Sequence, residues 1–165
     1  MSKQVRSETR SDADVESVFR TLTDESWAGV KAARFRDDSR TVSREERPDG
    51  GVTLVVSRRL PDGVPGFLQR FLPEDGRITE HFAWGPDEGG TRRGTWHADI
   101  AGAPAKLGGT MLLEPTASGS RHVIEGEVRV KVPIVGGKAE SFIAEMVEKL
   151  AGKEADLLLE TVSRG

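Results

Sequence analysis

Between about residues 39 and 132, apolar side chains recur at every second position and stop at clusters of Pro, Gly, Asp and Ser. This is the pattern of half-buried antiparallel strands joined by tight turns. Val52, Leu54, Val56, Arg58 and Leu60 fall on one face, and Pro48-Asp49-Gly50-Gly51 joins their strand to the preceding one, Ser39–Arg47. Ile78, Glu80, Phe82 and Trp84 share the next face, as do Trp96, Ala98 and Ile100 beyond the Pro86–Gly90 turn. Ala105, Leu107, Gly109, Met111 and Leu113 follow, and after the Thr116–Ser120 turn come His122, Ile124, Gly126, Val128, Val130 and Val132. Pairing Trp84 with Arg92 puts Glu80 opposite Trp96, and pairing Leu113 with His122 puts Gly109 opposite Gly126. A short strand at Lys3–Arg10, with Val5, Ser7 and Thr9 on one face, opens the chain.

Elsewhere the spacing is helical. Asp14 is placed to accept from free amides ahead of the stripe Val15, Val18, Phe19 and Leu22. Thr23 is expected to cap a second short helix that runs to about Ala33 and buries Trp27 and Val30. After Gly136-Gly137 the residues Ala139, Phe142, Ile143, Met146, Val147, Leu150, Ala151, Leu157, Leu158 and Val162 form one wide stripe. Met146 and Leu150 occupy its middle and are expected to face the sheet, while Gly152 weakens the helix by about 1 kcal/mol relative to alanine. The connection Pro61–Gly76 carries Val64, Phe67, Leu68, Phe71 and Leu72, enough for a short helix whose apolar side covers a pocket mouth.

The order is therefore strand, two short helices, six strands, long helix. Consecutive strands without crossover helices exclude a parallel α/β fold. The predicted class is α+β, with a curved seven-stranded antiparallel sheet wrapped around the C-terminal helix. At 165 residues and 36% hydrophobic content the chain fits one domain, 1–165, without internal repeats.

Composition narrows the function classes. The 24 Lys and Arg are interleaved with 27 Asp and Glu, so there is no concentrated basic face of the kind nucleic-acid binding needs. No apolar run approaches the roughly 20 residues of a membrane span. Met1–Arg6 lacks the apolar stretch of a secretory signal, so a cytoplasmic location is expected. The absence of cysteine excludes disulfides and thiolate chemistry. His81, His97 and His122 lack the close spacing of a metal site, and no phosphate loop, dinucleotide fingerprint or nucleophile elbow is present. No metal, cofactor or catalytic residue is assigned.

Three segments carry a resemblance. Val18-Phe19-Arg20-Thr21-Leu22-Thr23-Asp24, Arg59-Leu60-Pro61 with Val64-Pro65, and Lys131-Val132-Pro133-Ile134-Val135-Gly136-Gly137-Lys138 resemble the START-like (SRPBCC, helix-grip) superfamily. Within it they most resemble an actinobacterial family of unknown function. The resemblance covers essentially the whole chain and implies a ligand cavity between sheet and long helix. The favoured reading is a binding or carrier protein for a small hydrophobic molecule of lipid, polyketide or isoprenoid type. The alternatives are a cyclase-like or hydrolase-like enzyme using Glu80 or His122, and a protein-binding module like the START-like chaperone activators.

Three polar side chains interrupt the inward faces. Arg58 is expected to pair with Glu80 and form the polar pole of the interior, and His122 is expected near the rim, hydrogen-bonded or exposed. With them, Phe67, Phe82, Trp96, Met111, Phe142, Met146 and Leu150 make up the candidate ligand-binding set. The facing glycines Gly109 and Gly126 leave room for a ligand, a sheet bend or close helix packing.

Overall fold

The carboxylate of Asp14 accepts the backbone N–H of Ser17 at 2.7 Å, so α1 (Val15–Thr23) starts where its sequence cap predicts. In the computed structural model, which describes residues 2–72 and 76–164, this helix follows β1 (Lys3–Ser11) and buries Val15, Val18 and Phe19. Thr23 is not the cap of the next helix. It ends α1, buried, with its hydroxyl donating to the Phe19 carbonyl at 2.7 Å. Asp24 takes over the turn by accepting from the N–H of Ser26 at 2.8 Å. The later start rotates α2 (Trp27–Phe35), so Trp27, Ala28 and Lys31 are buried while Val30 is 38% exposed.

Six strands follow: β2 (Arg40–Glu46), β3 (Val52–Arg59), β4 (Arg77–Trp84), β5 (Arg92–Ile100), β6 (Ala105–Thr116) and β7 (Gly119–Val130). α3 (Gly66–Gln69) lies between β3 and β4, and α4 (Gly136–Arg164) closes the chain. The strands form one antiparallel sheet in the order β1-β7-β6-β5-β4-β3-β2. This is the expected α+β, helix-grip arrangement. Strand parity holds throughout: Leu54, Val56 and Arg58, then Ile78 and Trp84, Trp96, Ala98 and Ile100, and Leu107, Met111 and Leu113 are all buried.

One register differs. Trp84 pairs with Gly94 rather than Arg92, so Phe82 faces Trp96 and Glu80 faces Ala98. The cause is the loop, in which Glu88 and Thr91 pair across Gly89-Gly90, both at positive φ, while Gly85 donates to the Arg93 carbonyl at 2.7 Å. The shift is two residues, so no face is inverted. It does place the Glu80 carboxylate opposite a methyl group, with open space before it. The other hairpin is as expected, with Leu113 opposite His122 and Gly109 opposite Gly126.

α4 packs on β1, β7 and α1. Ala139, Ile143, Ala144, Leu157 and Leu158 are its buried contacts, and the Glu140 carboxylate, also buried, accepts from the N–H of Val130 at 3.0 Å. Phe142, Met146, Val147 and Leu150 occupy its other flank, where they are half-buried and face cavities. The helix is thus seated along one side of the sheet. Leu158→Ala should cost about 2–5 kcal/mol, the usual penalty for truncating a buried leucine, and Leu150→Ala less than about 1 kcal/mol. Denaturant unfolding of both variants checks this, and equal losses would mean that α4 is anchored through Leu150.

Candidate functional site

Three cavities lie end to end beneath α4. A mouth of about 490 Å³ opens between the end of β3 and α4, bounded by Phe35, Leu60, Phe142, Lys149 and Lys153. It shares Arg58, Met146 and Leu150 with a central cavity of about 90 Å³, lined also by Ile78, Glu80, Trp96 and Val147. Phe82, Met111, Ile124 and Glu154 separate the central cavity from an inner one of about 80 Å³, where Trp27, Lys31 and His122 lie. A smaller void of about 40 Å³ sits below α3, against Leu60, Leu68, Phe71 and Phe142.

A row of four charges crosses this interior. Arg58 Nε stands 3.1 Å from Glu80 Oε1, Arg58 Nη1 stands 3.5 Å from Glu154 Oε1, and Lys31 Nζ stands 3.5 Å from the same oxygen. The expected Arg58–Glu80 pair is therefore half of a larger, formally neutral set. Glu80 Oε1 and Glu154 Oε1 nonetheless accept no hydrogen bond from the described residues. Arg92 shows what a closed arrangement looks like. Its guanidinium, also buried, donates to Glu16 at 2.8 Å, to the Gly50 carbonyl at 3.1 Å and to the Gly85 carbonyl at 3.2 Å, and lies 3.7 Å over the Phe19 ring.

His122 is not at the rim. It is 8% exposed, its ring lies 6.0 Å from that of Trp84, and its Nε2 has no hydrogen-bond partner. Burial pushes its pKa down to about 4, against a smaller upward pull from Glu154, so the imidazole is neutral at pH 7.

The two facing glycines have separate uses. A Cβ on Gly109 would come within 1.9 Å of the Glu125 carbonyl, so the sheet bends there too sharply for any side chain. A Cβ on Gly126 would strike the Trp96 indole at 2.7 Å. Trp96 lies across this gap and donates its Nε1–H to the Glu125 carbonyl at 3.0 Å. The space is filled by the protein itself.

Of the ten sequence-predicted residues, Arg58, Glu80, Phe82, Trp96, Met111, His122, Phe142, Met146 and Leu150 line these cavities. Phe67, half-buried on α3, lines none of the four. Sequence reasoning missed Lys31 and Glu154. The signal for Glu154 was present, since it falls four residues after Leu150 and four before Leu158, inside the apolar stripe. The β4–β5 register also sets His81 opposite His97 on the outer face, where linear spacing showed no cluster.

A family model described as "Protein of unknown function (DUF2505)" matches residues 6–162. The chain belongs to this family. Among curated relatives, uncharacterized protein Rv0481c of Mycobacterium tuberculosis (strain ATCC 25618 / H37Rv) is 25% identical over 147 residues, 84% of either chain. The fold recurs in TTHA0849 from Thermus thermophilus, with a TM-score of 0.63, 20% identity and coverage of 97% of this chain and 96% of that one. It recurs in a STAR-related lipid transfer protein from Xanthomonas axonopodis (TM-score 0.61, 14% identity, 96% and 84% covered). Norcoclaurine synthase from Thalictrum flavum shares it as well (TM-score 0.59, 17% identity, 97% and 88% covered). These likenesses establish a START-like fold for the DUF2505 chain. Among the described residues no helix is long and apolar enough to cross a membrane.

His122 gives the DUF2505 fold a pH signature. Its folded pKa of about 4 lies below the ordinary histidine value of 6.5, so the unfolded chain binds the extra proton first. Stability is therefore lost as pH falls from 6.5 toward 4. Between pH 6.5 and 5 the loss should be about 1.5 kcal/mol. Asp38, held near 2 chiefly by its hydrogen bond from Arg77, responds only below this window. Denaturant unfolding at both pH values should show the slope in the parent and its absence in His122→Phe, and equal slopes would mean that the ring is hydrated.

Proposed function

We propose that the protein binds or carries a small hydrophobic molecule, of lipid, polyketide or isoprenoid type, between the sheet and α4. The observation that carries this reading is the charged row Lys31, Glu154, Arg58 and Glu80, whose side chains line the cavities while Glu80 Oε1 and Glu154 Oε1 accept no hydrogen bond among the described residues. An ion pair without full hydrogen bonding recovers only part of its desolvation cost, and a ligand group that donates to these carboxylates recovers more of it. Arg92 is a buried cation whose hydrogen bonds are made, to two backbone carbonyls and to Glu16, a carboxylate that itself lies at the surface.

The mouth has the volume of a small-molecule site, on the order of 300–1,000 Å³. Met146 and Met111 are unbranched and can repack, Met146 to join the central cavity to the mouth and Met111 to join it to the inner one. Both cations of the row already face carboxylates, and the atoms of the row that lack a hydrogen bond are carboxylate oxygens, which are acceptors. The polar end of the ligand is therefore a hydrogen-bond donor, a hydroxyl or an amine, in preference to a carboxylate. The shared fold with a STAR-related lipid transfer protein supports the container and is silent on the head group.

A second reading rests on His122, whose neutral imidazole has an unpaired Nε2 at the inner cavity. There it, or Glu80, would move a proton in a cyclase-like or hydrolase-like reaction.

Displacement of a fluorescent apolar dye by ligands with equal tails tests the first reading. Dodecanol should bind at least about fivefold more tightly than dodecanoate, the equivalent of about 1 kcal/mol, and Glu80→Gln should reduce that preference. Leu150→Trp, which fills the mouth, should weaken both while leaving the melting temperature within a few degrees. Tighter binding of dodecanoate would reverse the head-group assignment, and no saturable binding of any of them would remove the carrier. Turnover of a co-purified ligand, abolished in His122→Phe, would move the assignment to the enzyme.

A further inference from the structure

The convex face of the sheet holds a second polar constellation, independent of the cavities. His81 and His97 are directly paired across β4 and β5, and Asp99 lies two residues beyond His97 on the same face. Their imidazoles stack with centroids 4.2 Å apart and planes 9° apart. Asp99 Oδ2 stands 3.4 Å from His81 Nε2 and 3.7 Å from His97 Nε2, and the three ligand atoms all lie within 4.8 Å of one another.

From this arrangement we propose a surface binding site for a divalent transition-metal ion of borderline softness, with Zn²⁺ as its simplest probe, held by His81, His97 and Asp99. Zinc bonds of about 2.0–2.2 Å to nitrogen and oxygen put tetrahedral ligand atoms about 3.4 Å apart, close to the two Asp99 separations. Two imidazoles and a carboxylate suit Zn²⁺, Cu²⁺ or Ni²⁺ and are poor for Mg²⁺ or Ca²⁺, which prefer oxygen. Both histidine backbones are fixed in paired central strands, so binding requires only side-chain rotation. The rings must turn out of their stack, because a metal lies in the plane of each imidazole that binds it.

The surroundings leave room for this. His97 is paired on its other side with Gly108, which has no side chain to cover the ring, and a Cβ there would lie 3.2 Å from that of His97. The histidine and aspartate side chains are one-third to two-thirds exposed, so ions and water reach them freely. Three protein ligands leave a fourth tetrahedral position pointing to solvent, open to water or to a donor from another molecule.

Calorimetric titration of tag-free protein with ZnCl₂ at neutral pH tests the proposal. One saturable site is expected, weakened at least about tenfold by His81→Gln, His97→Gln or Asp99→Asn. Zn²⁺ should raise the melting temperature of the parent, since an ion that binds only the folded state stabilises it, and should not raise that of the double variant His81→Gln/His97→Gln. The variants' own melting temperatures without metal, close to the parent's, confirm that they fold. Absence of a saturable site in the parent would show that Asp99 serves the histidines only as an ion-pair partner. Undiminished affinity in the double variant would place the metal elsewhere, and either outcome overturns the site.

Discussion

A seven-stranded sheet curled around one helix encloses more volume than that helix can fill, and the interior of this protein is shaped by how the surplus is used. α4 buries Ala139, Ile143, Ala144, Leu157 and Leu158 against one side of the sheet, which leaves the flank carrying Met146 and Leu150 over open space. At the bend the surplus disappears. Gly109 lets β7 approach where a side chain would stand, and Trp96 fills the gap over Gly126. At the end nearest α1, Arg92, Glu16 and Phe19 close the fold. What remains open is the strip from the end of β3 to His122.

Charges in that strip carry a cost that packing alone does not offset. Desolvating two cations and two carboxylates costs several kcal/mol per ion, recovered only with good geometry and full hydrogen bonding. The row from Lys31 through Glu154 and Arg58 to Glu80 meets the first requirement in sign alternation and misses the second at two oxygens. A core selected purely for stability would replace such a row with apolar residues of similar size. Its presence beside open volume is the physical argument for the proposed ligand.

The interior was legible in the sequence because strand parity is robust. A two-residue error in the β4–β5 register left every face correctly assigned, whereas an error of one would have inverted the strand. The same error hid the histidine pair, since cross-strand contacts depend on the register itself, and the register was set by the Glu88–Thr91 turn inside the loop. Lys31 and Glu154 were missed for a different reason. Apolar periodicity marks a helix face by its hydrophobic members, so a charge on that face is taken for an interruption unless a partner is known. The depth of His122 was misjudged because its place at the start of β7 suggested a rim, while the α1 and α2 segments, whose packing no periodicity reveals, cover that end.

The order of polar and apolar sites along the strip constrains how a ligand would lie. Arg58 borders both the mouth and the central cavity, so a molecule entering past Lys149 and Lys153 meets the charged row first. Beyond it the central cavity presents Ile78, Phe82, Trp96 and Leu107, a lining whose charged members are Arg58, Glu80 and Glu154. On the proposed reading, a head group that stops at Glu80 has two places for its tail. It can fold back along Leu60 and Phe142 in the mouth, or turn inward toward Met111. The mouth is the larger by several-fold, about 490 Å³ against about 90 Å³. On that reading the tail would lie outermost with the head group innermost, so the reach of the mouth would limit tail length and the row behind it would select the head group.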